Sequence, residues 1–268
     1  SNIGLRINPQ IGTGKIKLTS TAGKYSKFGE PLNEKKKLIT KYYQKYNWLN
    51  SVHLHIGSQG NPLDQLISGI KKVYNFVNGL NKKLKGQIKF FDIGGGFPVS
   101  YRKEKEPPAI EKFKNDLKNA CPQLFSRKYT LITEYGRSVH ANSCWTASKV
   151  EYVKSSKDIL TAVIHVGADL FMRRCYLPDQ WYHEISVMNK DGQPKTGTKR
   201  KYNVVGPLCF SGDILARGIE LPEIEVGDYI IIHDTGAYTL SMWNRHLSRQ
   251  VPLAVGYHNN GGEFLTLK

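Results

Sequence analysis

The sequence predicts an α/β region followed by a β region, and two observations support this fold class. From Ile3 to about Asn142, short apolar runs alternate with stretches whose apolar residues recur at helical spacing. After about Trp145, the pattern changes to short β-prone runs separated by turns. Strands that alternate with helices form parallel sheets, in which polar sites collect at the carboxyl ends of the strands. We therefore expect two domains, at residues 1–145 and 146–268.

The first region should contain four strands separated by helices. The predicted strands are Gly4–Asn8, Ser51–Ile56, Ile88–Ile93 and Tyr129–Thr133. The predicted helices are Asn33–Tyr46, a helix that follows Asn61-Pro62, and a helix around Ala109–Ala120. The second helix should present one apolar face, formed by Leu63, Leu66, Ile67, Ile70, Val73, Tyr74 and Val77. Asn61 is the expected N-cap of the second helix, because proline is favoured at the first helical position. Four strands cannot close an eight-stranded barrel, so the sheet is either open or half of a barrel.

The second region is typical of an antiparallel barrel or sandwich. Asp191-Gly192 is an expected turn between two of its strands. The predicted strands are Ser148–Val153, Ile159–Val166, Glu184–Val187, Tyr202–Val205, Tyr229–Asp234 and Glu263–Thr266.

Composition and charge limit the classes of partner. The chain has 268 residues and a formal net charge of +17. Its lysine clusters are scattered and not interleaved with aromatic residues, so we expect no nucleic-acid partner. Four cysteines without C-x-x-C spacing argue against a metal site and favour a reduced, cytoplasmic setting. No apolar run reaches transmembrane length, so we expect no membrane partner.

Three consecutive glycines, Gly94, Gly95 and Gly96, follow an apolar strand and mark a candidate site. Without a Cβ atom, the backbone can adopt positive φ and direct its N–H groups at an anion, for which a phosphate is the natural ligand. The alternative is a tight turn from a strand into a helix with no ligand. The glycines alone do not decide between these interpretations.

Seven segments, taken in order, resemble the fold-type III pyridoxal-phosphate decarboxylases. This group includes the diaminopimelate, ornithine and biosynthetic arginine decarboxylases, and the diaminopimelate branch is the most similar. The segments are Gly4-Leu5-Arg6-Ile7-Asn8-Pro9, Ser26-Lys27-Phe28-Gly29, His53-Leu54-His55-Ile56-Gly57-Ser58-Gln59, Asp92-Ile93-Gly94-Gly95-Gly96-Phe97, Glu134-Tyr135-Gly136-Arg137-Ser138, Gly206-Pro207-Leu208-Cys209-Phe210-Ser211-Gly212-Asp213 and Gly236-Ala237-Tyr238-Thr239.

The resemblance implies a fold, a cofactor and a partner. The fold is a (β/α)8 barrel with a β domain, of which this chain would hold barrel strands five to eight and most of the β domain. The cofactor is pyridoxal 5'-phosphate (PLP), and the partner is a second copy in a homodimer with shared active sites. The family's Schiff-base lysine lies on an early barrel strand, so we expect it outside these 268 residues and expect this chain alone to be inactive.

The resemblance also assigns cofactor roles to individual residues. It implies that His55 stacks on the pyridine ring, whereas the alternative is a histidine hydrogen-bonded at a strand end. It implies that Glu134 faces the pyridine nitrogen, whereas the alternative is a surface salt bridge. The implied phosphate ligands are Ser58, the Gly94, Gly95 and Gly96 amides, Arg137 and Tyr238. Tyr135 replaces the proline that is usual after the glutamate.

Further roles concern the substrate. By resemblance, Cys209 and Asp213 reach the partner's active site, where the cysteine helps to reprotonate the α-carbon; a buried core cysteine is the alternative. Phe210 stands where the diaminopimelate branch usually has a glutamate for the distal ammonium, which leaves the specificity for the distal group open. Arg173 and Tyr176 match the contacts to a distal carboxylate, with Arg174 as a competitor for the role of Arg173.

The resemblance therefore implies a PLP-dependent decarboxylase that removes the α-carboxylate of a basic or diamino acid substrate. One alternative is an inactive homologue that acts as a regulatory binding protein. Retention of the cofactor-site residues argues against it, because a pure binding protein has no need of them. A nucleic-acid-binding function would rest on net charge alone.

Overall fold

The computed structural model describes residues 2–102, 104–257 and 264–267. The chain divides into two compact units, Ser1–Ala141 and Asn142–Lys268, each with its own apolar core. The sequence placed the boundary between the two regions four residues further on. Within the described residues, every helix is too short or too polar to span a membrane.

The N-terminal unit contains a five-stranded sheet in which all strand pairs are parallel. The register aligns His53, Asp92 and Ile132 on three adjacent strands, so these strands end at one edge of the sheet. The order is β2-β1-β3-β4-β5, with β1 at Ile3–Asn8, β2 at Glu30–Pro31, β3 at Leu49–His53, β4 at Phe90–Asp92 and β5 at Thr130–Ile132. The predicted parallel sheet is confirmed, and β2 is an addition that the sequence did not predict.

Three helices of this unit lie close to their predicted positions, namely α1 at Leu32–Lys45, α2 at Leu63–Lys83 and α3 at Ile110–Ala120. A fourth helix, α4 at Gly136–His140, was not predicted from the sequence. The apolar stripe of α2, including Ile70, Val73 and Val77, is buried against the sheet residues Val52 and Phe91 in the core. Helical spacing therefore identified the buried face.

The predicted N-cap of α2 is wrong by one residue. Pro62 occupies the N-cap position and has extended backbone angles. The Asn61 side chain does not cap the helix; instead, its Nδ2 donates a hydrogen bond to Gln65 Oε1 at 3.0 Å. Asn61 is 3% exposed. Its buried side chain packs against Gly14 and Gly57, so tertiary packing decides its position.

The C-terminal unit is built around a six-stranded sheet with the order β10-β9-β7-β6-β11-β8, and a separate pair, β12-β13. The pairs are antiparallel except for β7 with β9, which the sequence did not predict. One short helix, α5, spans Met172–Tyr176. The strands are β6 Thr146–Ser156, β7 Ile159–Ile164, β8 Ile185–Met188, β9 Lys199–Val205, β10 Ile214–Pro222, β11 Tyr229–Ile232, β12 Ala254–Tyr257 and β13 Phe264–Leu267.

Two strands of this unit were missed, and one prediction cannot be compared. The nine-residue strand β10 and the strand β12 were not predicted, whereas the turn at Asp191-Gly192 is present, with Gly192 at φ 79°. Glu263, the predicted start of the last strand, lies outside the described residues.

The two units differ sharply in charge. Residues 1–141 contain 25 Lys and Arg and 9 Asp and Glu, a formal charge of +16. Residues 142–268 contain 14 Lys and Arg and 13 Asp and Glu, a formal charge of +1. The charge excess of the chain therefore belongs almost entirely to the N-terminal unit.

Candidate active site

The carboxyl edge of the parallel sheet brings together polar groups from three loops. His55 follows β3, Gly95 follows β4, and Glu134 follows β5. His55 Nδ1 lies 3.4 Å from Glu134 Oε2 and accepts a hydrogen bond from the Gly95 N–H at 3.1 Å. Three sequence-predicted site residues, separated by up to 79 positions, thus meet because parallel strands end at the same edge.

Close approach of neighbouring backbones explains why glycines stand in this loop, which the sequence alone did not reveal. A Cβ atom on Gly94 would overlap the Leu54 carbonyl oxygen, and one on Gly96 would overlap the Gly57 carbonyl oxygen. Both residues also have positive φ, 69° and 94°. A side chain at either position would push the adjacent strand ends apart. The glycines are therefore required for close packing of the loop backbones, whether or not an anion binds.

The glycine loop corrects one sequence interpretation. The alternative of a strand-to-helix turn is wrong, because the next helix begins only at Ile110. The Gly94 N–H donates to Asp92 Oδ1 at 2.8 Å, and the Gly95 N–H donates to His55, so both have acceptors within the protein. Binding of an anion by the glycine loop stays a prediction.

A group of hydrogen-bonding side chains surrounds Arg137, which lies on α4 and is 5% exposed. Its Nη2 donates to Ser58 Oγ at 3.1 Å, and its Nη1 donates to the Tyr101 hydroxyl. A buried guanidinium requires hydrogen-bond partners or a counter-anion, because desolvation of an isolated charge is costly. Arg137 and Ser58 were predicted from the sequence, whereas Tyr101 was not.

Tyr101 lies in a loop whose sequence gives no signal of function. The loop is fixed by Gln59, whose Nε2 donates to Val99 O at 2.8 Å and whose Oε1 accepts the Val99 N–H at 3.1 Å. This paired contact directs the following residues toward Arg137. The segment Gly57-Ser58-Gln59 thus contributes one hydroxyl directly and positions a second one.

Burial keeps His55 neutral. Desolvation lowers the pKa of His55 below its ordinary value of 6.5, and the nearby positive charge of Arg6 lowers it further, while Glu134 opposes both effects. The imidazole therefore presents an uncharged flat ring at neutral pH. Glu134, whose side chain is 47% exposed, remains accessible at the same edge.

Tyr135, which replaces the usual proline, has a packing role. Its ring lies 5.7 Å from that of Phe97 and 6.3 Å from that of Phe113 between centroids. Burial raises the pKa of the Tyr135 hydroxyl, as expected for a phenol in an apolar cluster. The departure from proline leaves Glu134 and Arg137 on the same edge of the sheet.

One cluster in the described part of the chain has the spacing of metal ligands. It contains His53, His55 and Glu134, with ligand atoms within 4.8 Å of one another. His55 Nδ1 accepts the Gly95 N–H, so a metal bound at that nitrogen would have to displace this hydrogen bond.

A second group of predicted site residues meets within the C-terminal unit. The Arg173 guanidinium carbon lies 4.4 Å from the centroid of the Tyr238 ring and 4.7 Å from that of Trp181. Both distances are within the range of cation–π contacts. Tyr238 has φ 61°, which is uncommon for a residue with a Cβ. Trp181 was not predicted from the sequence.

Arg174, the competitor for the role of Arg173, binds backbone carbonyl groups of the same unit. Its Nε donates to Leu215 O at 2.6 Å, and its Nη1 donates to the Pro178 and Trp181 carbonyl oxygens at 2.7 and 2.5 Å. Arg173 contacts the Tyr238 and Trp181 rings. Its role in binding a ligand stays a prediction.

Cys209 lies in an exposed loop, next to an aromatic stack. The thiol residue is exposed, which excludes the alternative of a buried core cysteine. The neighbouring Phe210 ring stacks on that of Tyr176, with centroids 5.1 Å apart and planes at 18°. Phe210 thus contributes packing where a carboxylate was usual.

Asp213 and Arg249 have structural partners. Asp213 is 3% exposed, and its carboxylate accepts the Ala168 N–H at 2.6 Å and the Leu208 N–H at 2.8 Å. Its predicted place in the partner's active site stays a prediction. Arg249, for which the sequence suggested no role, donates to Asp169 Oδ2 at 2.9 Å.

The chain matches a family model. Residues 1–141 match the model described as pyridoxal-dependent decarboxylase, pyridoxal binding domain. This match covers the N-terminal unit, including the loops with His55, Glu134 and Arg137.

Curated relatives extend the similarity through the C-terminal unit. The chain is 32% identical over 260 residues to the diaminopimelate decarboxylase of Archaeoglobus fulgidus, covering 92% of this chain and 58% of the relative. It is 34% identical over 255 residues to that of Helicobacter pylori, covering 93% and 59%. The chain thus spans about six tenths of the length of these relatives.

Solved structures agree with the fold. The crystal structure of diaminopimelate decarboxylase from Helicobacter pylori complexed with L-lysine has a TM-score of 0.84 at 30% identity, covering 99% of this chain and 63% of that chain. The enzyme from M. jannaschii in co-complex with L-lysine has a TM-score of 0.84 at 29% identity, covering 99% and 60%. The predicted fold class is confirmed by these matches.

Proposed function

This chain belongs to the pyridoxal-dependent decarboxylase family, and on that premise we propose that it acts in the PLP-dependent removal of the α-carboxylate from a basic or diamino acid. One observation carries the proposal: a carboxylate, an imidazole and a buried guanidinium with two hydroxyl partners lie on loops and a helix that follow the strands of the parallel sheet. The curated relatives at 32% and 34% identity named above are diaminopimelate decarboxylases, which supports the substrate class.

The residues of the N-terminal unit fit PLP. Its phosphate is a dianion, and the Arg137 guanidinium with the Ser58 and Tyr101 hydroxyls forms a donor-rich set of the kind that binds phosphate. Its ring nitrogen is a base that a carboxylate keeps protonated, and Glu134 is the accessible carboxylate. When bound, PLP supplies the electron sink that takes up the electron pair left by the departing carboxylate.

The chain's own residues would then have separate tasks. Arg137 and Ser58 would bind the phosphate, Glu134 would hold a proton on the ring nitrogen, and neutral His55 would stack its flat face on the ring. By resemblance to the family, Tyr238 is a further phosphate ligand, and Gly94 to Gly96 line the same wall.

The C-terminal unit would supply the substrate contacts. The Arg173 guanidinium is the candidate for a distal carboxylate, with Tyr176 on the same helix, and exposed Cys209 is the candidate for returning a proton to the α-carbon. In line with the family, we propose a homodimer in which these groups serve the partner's site. Four free cysteines support a cytoplasmic location.

The phosphate site is tested by comparing Arg137→Ala with Arg127→Ala, an exposed arginine of the same unit. We expect the affinity for PLP, measured by equilibrium dialysis on the natural full-length protein, to fall about 100-fold in R137A, since bonds to a charged group are worth ~1.5–3 kcal/mol each. R127A should bind as the wild type does. Equal binding by both variants would contradict the phosphate site.

The activity is tested by carbon dioxide release from a panel of meso-diaminopimelate, ornithine, lysine and arginine. We expect release from at least one of them, and loss of that release in R137A at subsaturating PLP. A protein that binds PLP but releases carbon dioxide from no member of the panel would instead support the regulatory alternative.

A further inference from the structure

The loop that carries Cys209 is closed by its last residue. The Gly206 N–H donates to the Asp213 carbonyl oxygen at 2.9 Å, and the Asp213 N–H donates to Phe210 O at 2.9 Å. The Leu208 N–H donates to Asp213 Oδ2 at 2.8 Å. Asp213 thus binds the loop on both sides of Cys209, which lies exposed between these contacts.

The same carboxylate also binds a second segment. Asp213 Oδ1 accepts the Ala168 N–H at 2.6 Å. A Cβ atom on either Gly167 or Gly206 would overlap a carboxylate oxygen of Asp213, so both glycines make room for it. Ala168 lies in the turn that leads directly into α5, the helix of Arg173 and Tyr176.

Two further contacts join the same pair of segments. The Tyr176 and Phe210 rings stack with centroids 5.1 Å apart. Arg174 Nε donates to Leu215 O at 2.6 Å, just beyond the loop. The Asp213 contact is more buried than the ring stack, because Asp213 is 3% exposed, whereas Tyr176 is 54% exposed.

Burial of a carboxylate between two loops has an unfavourable desolvation free energy. Desolvation of the ionised form raises the pKa of Asp213, and its backbone hydrogen bonds offset only part of that effect. Buried ionic groups add little net stability compared with apolar packing, and some are retained because they fix one geometry. The cost of burying Asp213 is therefore understandable if the relative position of the two loops matters.

We propose that Asp213 is a positioning residue that fixes the Cys209 loop relative to the Arg173–Tyr176 helix. This inference rests on the proposed function for the roles of Cys209, Arg173 and Tyr176. The contacts by which Asp213 joins the two segments do not depend on activity. Asp213 joins the group that recognises the substrate's distal end to the group that returns the proton. A shift of either loop would change both steps together.

The first test uses Asp213→Asn with Asp228→Asn as the matched control. Asp228 is also a 3% exposed aspartate that accepts a backbone N–H, from Glu225 at 2.8 Å, but it lies outside the two loops. In D213N, the new amide NH2 faces a backbone N–H donor, so one of the two loop contacts must break. The D228N variant has the same chemical change elsewhere in the unit.

The readout is the rate at which N-ethylmaleimide labels Cys209 relative to Cys144, measured by peptide mass spectrometry on the full-length protein. These are the two exposed cysteines of the chain, and Cys144 serves as an internal reference. We expect the Cys209 to Cys144 ratio to change about fivefold in D213N, because the loop gains local freedom. D228N should leave the ratio within about twofold of the wild type. An equal ratio in all three proteins, or an equal change in both variants, would overturn the proposal.

Hydrogen exchange of the wild-type protein provides a measurement that does not depend on the folding of a variant. The Ala168 and Leu208 amides lie outside helices and strands, yet both donate to Asp213. We expect both to exchange about 100-fold or more slowly compared with unprotected amides. Exchange of either amide at the unprotected rate would overturn the proposal. Neither experiment requires PLP or substrate, so their failure is distinct from failure of the proposed function.

Steady-state kinetics give the functional readout. We expect Arg173→Met to raise mainly KM and Cys209→Ala to lower mainly kcat, whereas D213N should change both, with kcat/KM reduced roughly 10–100-fold. A D213N enzyme with altered stability but unchanged kcat and KM would show that Asp213 is only structural. In that case the positioning role is wrong.

Discussion

The two units place their candidate site residues by different means. In the N-terminal unit, His55, Gly95 and Glu134 meet because three parallel strands end at one edge. In the C-terminal unit, the loops around Cys209 and Arg173 are held by side chains that bind the backbone, chiefly Asp213 and Arg174.

This difference between the two units predicts which residues can be replaced in each of them. Where the sheet positions the site, the critical framework positions are those at which the backbones approach closely, such as Gly96. Where side chains position the site, a framework residue is as critical as a residue that touches the ligand. The experiments below test this difference, from the largest expected effect to the smallest.

The largest effect is expected for Gly96→Ala in the N-terminal unit. The new methyl group would overlap the Gly57 carbonyl oxygen, and φ at this position is 94°. We expect roughly 2–4 kcal/mol of lost stability, from strain and displaced strand ends. Hydrogen exchange of peptides from each unit would locate the loss, which should be confined to the N-terminal unit.

Gly79→Ala is the matched control in the same unit. Gly79 lies inside α2, and a Cβ atom added to it would have no neighbouring atom within 4 Å. We expect this variant to be about 0.5–1 kcal/mol more stable than the wild type, because alanine favours helix. A loss of similar size in both glycine variants would show that strand-end packing is not the cause.

The second effect concerns the C-terminal unit and separates two adjacent arginines. Arg174→Met should destabilise this unit by about 2 kcal/mol, because three carbonyl contacts are lost. Arg173→Met should cost about 1 kcal/mol or less, from lost cation–π contacts. Denaturant unfolding, followed by hydrogen exchange in this unit, would measure both. The reverse order would assign the framework role to Arg173.

The smallest effect is a pH dependence of the N-terminal unit. The folded-state pKa of His55 is lowered below the ordinary value of 6.5, so the unfolded chain binds a proton first as the pH falls. Stability should therefore be complete above about pH 6.5 and decrease as the pH falls toward the lower folded-state pKa.

His55→Gln should flatten this dependence, while His140→Gln, at an exposed position, should retain it. Urea unfolding of the N-terminal unit at several pH values between 5 and 8 would measure the slope. An unchanged slope in H55Q would show that another group is responsible.

The parallel half of the fold was largely predictable from sequence. Apolar periodicity identified the buried face of α2, and the alternation of strands and helices implied the shared edge on which His55 and Glu134 meet. These features depend on local spacing, which a sequence displays directly. The cap at Asn61 failed because tertiary packing took its side chain into the core.

The strand β10 was missed for a physical reason. Its pairing with β9 is interrupted by register shifts, and Gly218 within it has φ 57°. Bulges break the two-residue alternation that marks a strand in a sequence. The positions of Tyr101 and Trp181 were also unpredictable, because each depends on a contact with a distant residue.

The position of Asp213 was identified by resemblance, but its task was not. A sequence shows a carboxylate near a cysteine, and the direct reading is a contact with the substrate. Burial to 3% and two backbone donors are the observations from which we propose a positioning role for that carboxylate. Burial of a polar group is decided by the whole fold and is not visible in local patterns.

The uneven charge of the two units makes the protein's response to ionic strength uneven as well. With a formal charge of +16, the N-terminal unit is compact against its own electrostatic repulsion, which dissolved salt weakens. The C-terminal unit, at +1, has almost no such repulsion to screen. We therefore expect dilute buffer to lower the stability of the half that carries Glu134 and Arg137 more than that of the half that carries Cys209.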